Sequence, residues 1–378
     1  MSNSGQGPVI YANLIDRKNR IDYVVQPKIK QLSYGTDMRQ FTGAFDFEIQ
    51  FGPFEKVSIN SHDYIEFFFY LGNQKHQIGV GFIEDFVKHT SAEGNVFQGN
   101  GRDLLAQIML FPFKTRTYKN GISYQQFLNL SLENTYLLDY LSMKNRSSNV
   151  VDFGMYKKQM IFTDVITAPR AQIVQEYAEL AQNLVYQDRF GRMVVYGRSH
   201  RNAGATNVTL NAYSDHNVDD MMIRENFSKV FSEASVIYQG QELLDLSDIK
   251  RTSAASSIQK NSDPRAAGLN QPTYKIFSAQ DLVGLAGQKS DVSRIDDIAK
   301  GIIRKSNQFL SQPVVISNAP YYVDTSGKKF AYEVGQVFRL ISTAHNVNDL
   351  YKVAGIHYEQ NDSQTKVQIA FVEPDTLV

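Results

Sequence analysis

The stretch Ile78-Gly79-Val80-Gly81-Phe82-Ile83-Glu84-Asp85, followed after a turn at Ser91 to Gly94 by Gly99-Asn100-Gly101-Arg102-Asp103-Leu104-Leu105, carries the reading of this chain. The first part is a strand, Ile78 to Val87, in which Gly79 and Gly81 leave one face bare and so allow a bulge or a close backbone approach. Working outward, Phe45, Phe47, Ile49 and Phe51 alternate with Asp46, Glu48 and Gln50, the period-two pattern of a half-buried strand that Gly52-Pro53 stops. Tyr64 to Leu71 is a denser strand, and Gly72-Asn73 turns it into the next. Four or five short strands separated by turns predict a small barrel or sandwich. Leu104, Leu105, Ile108 and Met109 fit a short amphipathic helix after it.

The later chain adds two helices and a second set of strands. Ile173, Tyr177, Leu180 and Leu184 predict a helix over Thr167 to Leu184, with Thr167 as its cap, and a hairpin turning at Asp188 to Gly191 follows it. A second helix is expected from Asp291 to about Leu310. Strands are expected at Val208 to Leu210, Phe227 to Tyr238, Val334 to Ile341, Tyr351 to Tyr358 and Lys366 to Phe371. Ala354-Gly355-Ile356-His357-Tyr358 occupies the place in the last group that Val80-Gly81-Phe82-Ile83-Glu84 occupies in the first, a weak internal repeat. The expected fold is therefore α+β and β-rich, with two similar small β-barrel domains and α+β insertions. The boundaries read as a flexible arm over 1–20, a first barrel over 21–111, an α+β domain over 112–204, a second barrel over 205–245 and 313–378, and a loop-rich insertion with a helix over 246–312.

Composition narrows the function. The 378 residues hold 42% hydrophobic and 21% charged side chains, a globular balance. Thirty-nine basic residues meet thirty-nine acidic ones, which disfavours a protein whose main task is gripping phosphates. There is no Cys, so disulfides, thiolate nucleophiles and Cys-based zinc sites are excluded. No apolar run approaches the roughly 18 residues a bilayer span needs, and the small, polar start of the chain has no signal pattern, so folding in a cytoplasm is expected.

Catalytic motifs are scarce. The seven His residues include no His-Glu-x-x-His pair; His216 beside Asp215, Asp219 and Asp220 is the nearest to a metal cluster and reads as a solvated loop. Ser257-Ile258-Gln259-Lys260 matches Ser-x-x-Lys without its companion motifs. Gly79-x-Gly81 and Gly99-x-Gly101 lack the third glycine and the βαβ setting of a dinucleotide site. No catalytic, cofactor or metal residue is assigned, and the chain is expected not to be an enzyme.

The strand with its glycines, the Gly101-Arg102-Asp103 turn into a helix, the middle segment Ala171 to Arg198, the basic helix Ile302 to Leu310 and the ending Phe371-Val372-Glu373-Pro374-Asp375 together resemble the baseplate hub proteins of Mu-type contractile phage tails. The resemblance runs from about residue 40 onward, except over 113–165 and 247–290. It implies a virion protein assembled in the host cytoplasm: a homotrimer that joins a six-fold tail tube, or its initiator protein, to a three-fold central spike. The channel would pass DNA and a tape-measure protein in transit, and neither a cofactor nor membrane insertion is implied. The structural motif is Gly81, Ile83, Gly101, Arg102 and Asp103; Arg102 and Asp103 are expected to hold the barrel corner and cap the helix. Two alternatives stand beside this reading. One is the hub component of a related contractile injection or secretion machine or non-contractile tail, in which a spike fused after Val378 is not expected. The other is a tail-associated cell-wall hydrolase built on a carboxylate pair.

Overall fold

The computed structural model describes residues 9–23, 28–52, 59–91, 94–111, 118–153, 159–162, 169–180, 182–197, 205–211, 218–238, 242–244, 249–251, 255–277, 291–324, 326–361, 364–374 and 376. Most of the strands belong to one 13-stranded sheet that runs through both halves of the chain. The molecule is β-rich α+β, as the alternating patterns predict.

The first half contains β1 (Tyr11–Asp16), β2 (Lys28–Asp37), β3 (Ala44–Phe51), β4 (Tyr64–Leu71), β5 (Gln74–Ser91) and β6 (Gly94–Asp103). In space they run β2-β3-β6-β5-β4, with β1 antiparallel on the far side of β4. In β3 the predicted alternation is seen as buried Phe45, Phe47, Ile49 and Phe51. The expected flexible arm is corrected over its second half: Ala12, Leu14 and Ile15 of β1 are buried against β4, because the apolar side chains of this segment complete the core.

After a six-residue 3-10 turn, Leu104–Met109, come α1 (Tyr124–Ser131), α2 (Tyr136–Met143), β7 (Val150–Phe153), α3 (Arg170–Leu180), β8 (Asn183–Gln187) and β9 (Met193–Gly197). The predicted Thr167 cap lies outside the described residues. The hairpin forms with register Leu184↔Tyr196, and β7 pairs parallel to β9. Leu104, Leu105, Phe127, Leu137, Tyr140, Val174 and Val185 share a core with Val80 and Phe82 of β5, so this middle segment is packed on the first unit.

The second half repeats the first. Its strands are β10 (Ala205–Asn211), β11 (Val218–Arg224), β12 (Glu233–Tyr238), β13 (Ala255–Lys260), β14 (Pro272–Phe277), β15 (Gln312–Ser317), β16 (Val337–Ser342), β17 (Val347–Asn361) and β18 (Gln364–Val372), with helix α4 (Asp291–Asn307) before β15. The five strands β11-β15-β18-β17-β16 lie in that spatial order, with β10 beside β16. Numbered by sequence within each unit, both read first, second, fifth, fourth, third. Here β10 is parallel to its neighbour where β1 is antiparallel.

The remaining strands form the insertion, between the first and second strands of the second unit. β12, expected in the second barrel, instead pairs with β13 and β14 in a separate sheet. The expected loop-rich stretch is corrected to that extent: its described residues include β13, β14, a short helix at Pro264–Ala267 and α4, joined by turns. Ser, Ala and Gln form this sheet because one face needs only small buried side chains, Ala234 and Val236, where α4 lays Ile295, Ile298 and Ala299.

The two units are joined edge to edge. β2 pairs antiparallel with the end of β17, from Asp37↔Gly355 to Gln31↔Asn361. The buried Gln360 of β17 reinforces the seam: it accepts from Ile10 N at 2.6 Å and donates to Ile29 O at 3.2 Å, tying the start of β1 to β2.

Candidate functional site

The motif residues meet at one corner of the first unit. In the β5–β6 ladder Gly81 pairs with Asp103 and Gly101 with Ile83, so the two glycines lie diagonal to each other, both under the ring of Phe45. A Cβ on Gly81 would stand 2.4 Å from both Arg102 O and Phe45 Cε1, and one on Gly101 2.2 Å from Phe82 O. On Gly79 a Cβ would stand 2.2 Å from the Tyr34 hydroxyl. The glycines are therefore a groove for the aromatic side chains of β2 and β3, and no phosphate cradle is needed to explain them. Ile83 is fully buried; its N–H donates to Asp63 O at 2.9 Å and its carbonyl accepts from His62 N at 2.7 Å.

Arg102 and Asp103 part company. Arg102 reaches across to Glu84, with Nε 2.9 Å from Oε2 and Nη2 2.5 Å from Oε1, a half-exposed fork on the outer face of the sheet. Asp103 stands at the N-cap position of the 3-10 turn, but its side chain makes no capping bond, which corrects that expectation. Its carboxylate instead accepts from Gly43 N at 2.6 Å and from the Tyr34 hydroxyl at 3.5 Å, while Asp103 N donates to Gly43 O at 3.0 Å. Burial pushes its pKa up to about 7, against the pull of the Gly43 and Tyr34 bonds. This is a clasp between the end of β6 and the approach to β3.

A second polar cluster was not legible in the sequence. Glu66 of β4 is buried and accepts from Tyr140 Oη at 2.6 Å and Asn13 Nδ2 at 3.1 Å, with Lys144 Nζ 3.1 Å away. Burial opposes its charge, but these partners outweigh it and hold the carboxyl below its ordinary value. The cluster fastens α2 to the first unit.

The candidates for chemistry do not assemble. Ser33, His357 and Glu359 meet on the outer face, but Ser33 Oγ (3.4 Å) and Glu359 Oε1 (3.3 Å) both approach Nε2 of the same imidazole. A relay needs the acid on one ring nitrogen and the nucleophile on the other. Ser257 and Lys260 sit on β13 three residues apart, hence on opposite faces: Ser257 is buried and donates to Asp296 Oδ1 at 2.8 Å, while Lys260 is exposed. Asp215 and His216 lie outside the described residues, and among the described residues no three His, Cys, Asp or Glu side chains group as metal ligands. A cavity of about 170 Å³ opens where the Asp188–Arg192 turn meets the second unit, lined by Tyr186, Val334, Ile356 and Tyr358. The Arg189–Glu333 ion pair, at 2.7 Å, joins the two sides. Among the described residues no helix is long and apolar enough to cross a membrane.

No protein-family model matches the chain, and no curated protein matches it in sequence. Solved structures do. A 43 kDa tail protein of prophage MuSo2 from Shewanella oneidensis aligns with a TM-score of 0.65 at 13% identity, over 97% of this chain and 98% of that one. A tail protein from Neisseria meningitidis MC58 aligns with a TM-score of 0.66 at 14% identity, over 98% of each chain. An E. coli component of the type VI secretion system, described as structurally similar to bacteriophage T4 tail proteins gp27 and gp5, gives 0.50 at 8% identity, over 92% of this chain and 73% of that one. At such identities the likeness is one of fold: the chain has the fold of phage tail proteins.

Proposed function

We propose that this chain is the structural hub of a contractile phage tail baseplate, a homotrimeric ring that adapts the six-fold tail tube to the three-fold central spike around a channel. The observation that carries the reading is the doubled unit. One chain holds two units of identical strand order, so three chains supply six near-equivalent units, which a collar between six-fold and three-fold partners requires. The end-to-end likeness to two tail proteins supports the same reading. Its function lies in geometry rather than chemistry, so it is not an enzyme. The partners are further copies of itself, the spike, the tube or its initiator, and the tape measure. The location is the virion tail, after assembly in the host cytoplasm.

A hub in a related injection or secretion machine is the second reading, favoured by the likeness to the type VI component. The deciding experiment is light scattering of the purified protein, alone and mixed with a candidate spike protein. A mass near three times 42.9 kDa is expected for the protein alone, or that mass plus the spike's when the trimer forms on mixing. A monomer in both would overturn the hub reading and reopen the hydrolase alternative, which clearing of peptidoglycan gels would then have to support.

A further inference from the structure

The junction inside the chain has a counterpart left open at each end. β17 uses one edge for β18 along most of its length; its other edge holds β16 over Val347–Lys352 and then β2 over Gly355–Asn361. The equivalent strand of the first unit is β5. One of its edges carries β6, and the other is paired with β4 as far as Phe82, with Ile83 bonded to His62 and Asp63. From Glu84 to Ser91 that second edge meets no strand among the described residues. The counterpart of β2 is β11, which pairs with β15 on one side. Apart from that pairing, its described backbone contacts include one side-chain bond, His345 Nε2 to Met221 O at 2.9 Å. Among the described residues, then, β11 has no strand on its far side and Glu84–Ser91 of β5 has none on its second edge. Open edges are ready templates for another chain.

We propose that β11 of one copy pairs antiparallel with Glu84–Ser91 of β5 in the next, repeating between chains the junction that β2 and β17 make within one. The proposal rests on the hub reading for its premise of self-assembly, and it names the strands. Its register follows from superposing the units through the hairpin ends Ser91↔Gly94 and Asn361↔Gln364 and the ladders beside them. Met221 then takes the place of Leu32 and Ile223 that of Tyr34, so inward-facing positions match inward-facing ones. Across the new junction Met222 faces His89, and Arg224 faces Val87.

Charge selects the same direction. β11 runs from Asp219 and Asp220 to Arg224, and the open half of β5 from Glu84 and Asp85 to Lys88 and His89. Antiparallel pairing sets the acidic start of one beside the basic end of the other and brings Arg224 diagonal to Asp85; parallel pairing would oppose like charges. The contact is head to tail, so it closes into a ring when its rotation divides the circle. Three junctions within chains and three between them alternate around six units.

The natural chain lacks cysteine, so Met222→Cys with His89→Cys creates a single thiol pair. Both residues are exposed, and directly opposed strand residues fall within disulfide range. Oxidation should give covalent dimers and trimers on a non-reducing gel, in the double variant and in neither single one. In parallel, Arg224→Asp and Asp85→Arg should each raise the concentration for half-assembly roughly threefold or more, and together restore it. A trimer by light scattering that never cross-links and ignores the charge exchange would overturn the strand assignment and leave the hub reading standing. A chain that stays monomeric, alone and with its spike, would overturn both.

Discussion

Asp103 shows how a residue can be noticed for the right reason and given the wrong task. An Asp before an apolar turn has the signature of an N-cap, and only the fold brings Gly43 and Tyr34 to its carboxylate. The consequence is a pH dependence of definite sign. Burial lifts the folded-state pKa to about 7 from an ordinary 3.8, so the carboxyl's contribution to stability is full below about pH 4 and is lost as pH rises to 7. The loss is at most about 4 kcal/mol. Asp103→Asn keeps an acceptor for Gly43 and removes the titration. It should flatten stability between pH 4 and 7 and match or exceed the parent at pH 8 in urea titrations; a flat parent curve would refute the account. The glycines make a separate test. Gly81→Ala drives a methyl into Arg102 O and should cost about 3 kcal/mol, whereas Gly268→Ala, in open space with ordinary backbone, should change stability by less than about 1 kcal/mol.

Among the elements, legibility followed the regularity of the pattern. β3 is visible because its four apolar residues alternate without interruption. β2 is not: the ladder slips between Ile29 and Gln31, so the buried Ile29, Leu32 and Tyr34 fall out of a period of two, and the rest of the strand is polar. The inserted sheet hides for another reason, since it buries small side chains on one face and leaves Ile258, Tyr274 and Ile276 exposed on the other. Polar clusters between elements were invisible because their members lie far apart in sequence. Glu66 and Tyr140 are one such pair, 74 residues apart. Tyr140→Phe removes a bond to a buried charged group and should cost about 2 kcal/mol. Because the Glu66 pKa is held below its ordinary value, the deficit should be present at pH 7 and shrink as pH falls through the usual carboxylate range. An equal deficit at pH 3, by thermal or urea unfolding, would show that Tyr140 acts through packing alone.

At the scale of the molecule, the seam between the units decides whether the chain behaves as one body or two. A duplicated barrel could be two beads on a string, but here one 13-stranded sheet crosses the boundary, and one apolar core holds Phe45 and Tyr34 with Tyr358 and Phe371. Gln360 belongs to the second unit, yet its amide joins Ile10 and Ile29, backbone groups of the first. Replacing it by Ala would leave Ile10 N–H and the two carbonyls buried with that partner gone, at a cost of about 3 kcal/mol. The parent should therefore unfold in a single urea transition, with coincident fluorescence and circular-dichroism curves. Gln360→Ala should shift that transition or split it, the first unit melting first because β1 and β2 lose their tie. Two transitions in the parent would mean that the units fold independently, and rigid six-unit geometry would then have to come from the contacts between chains.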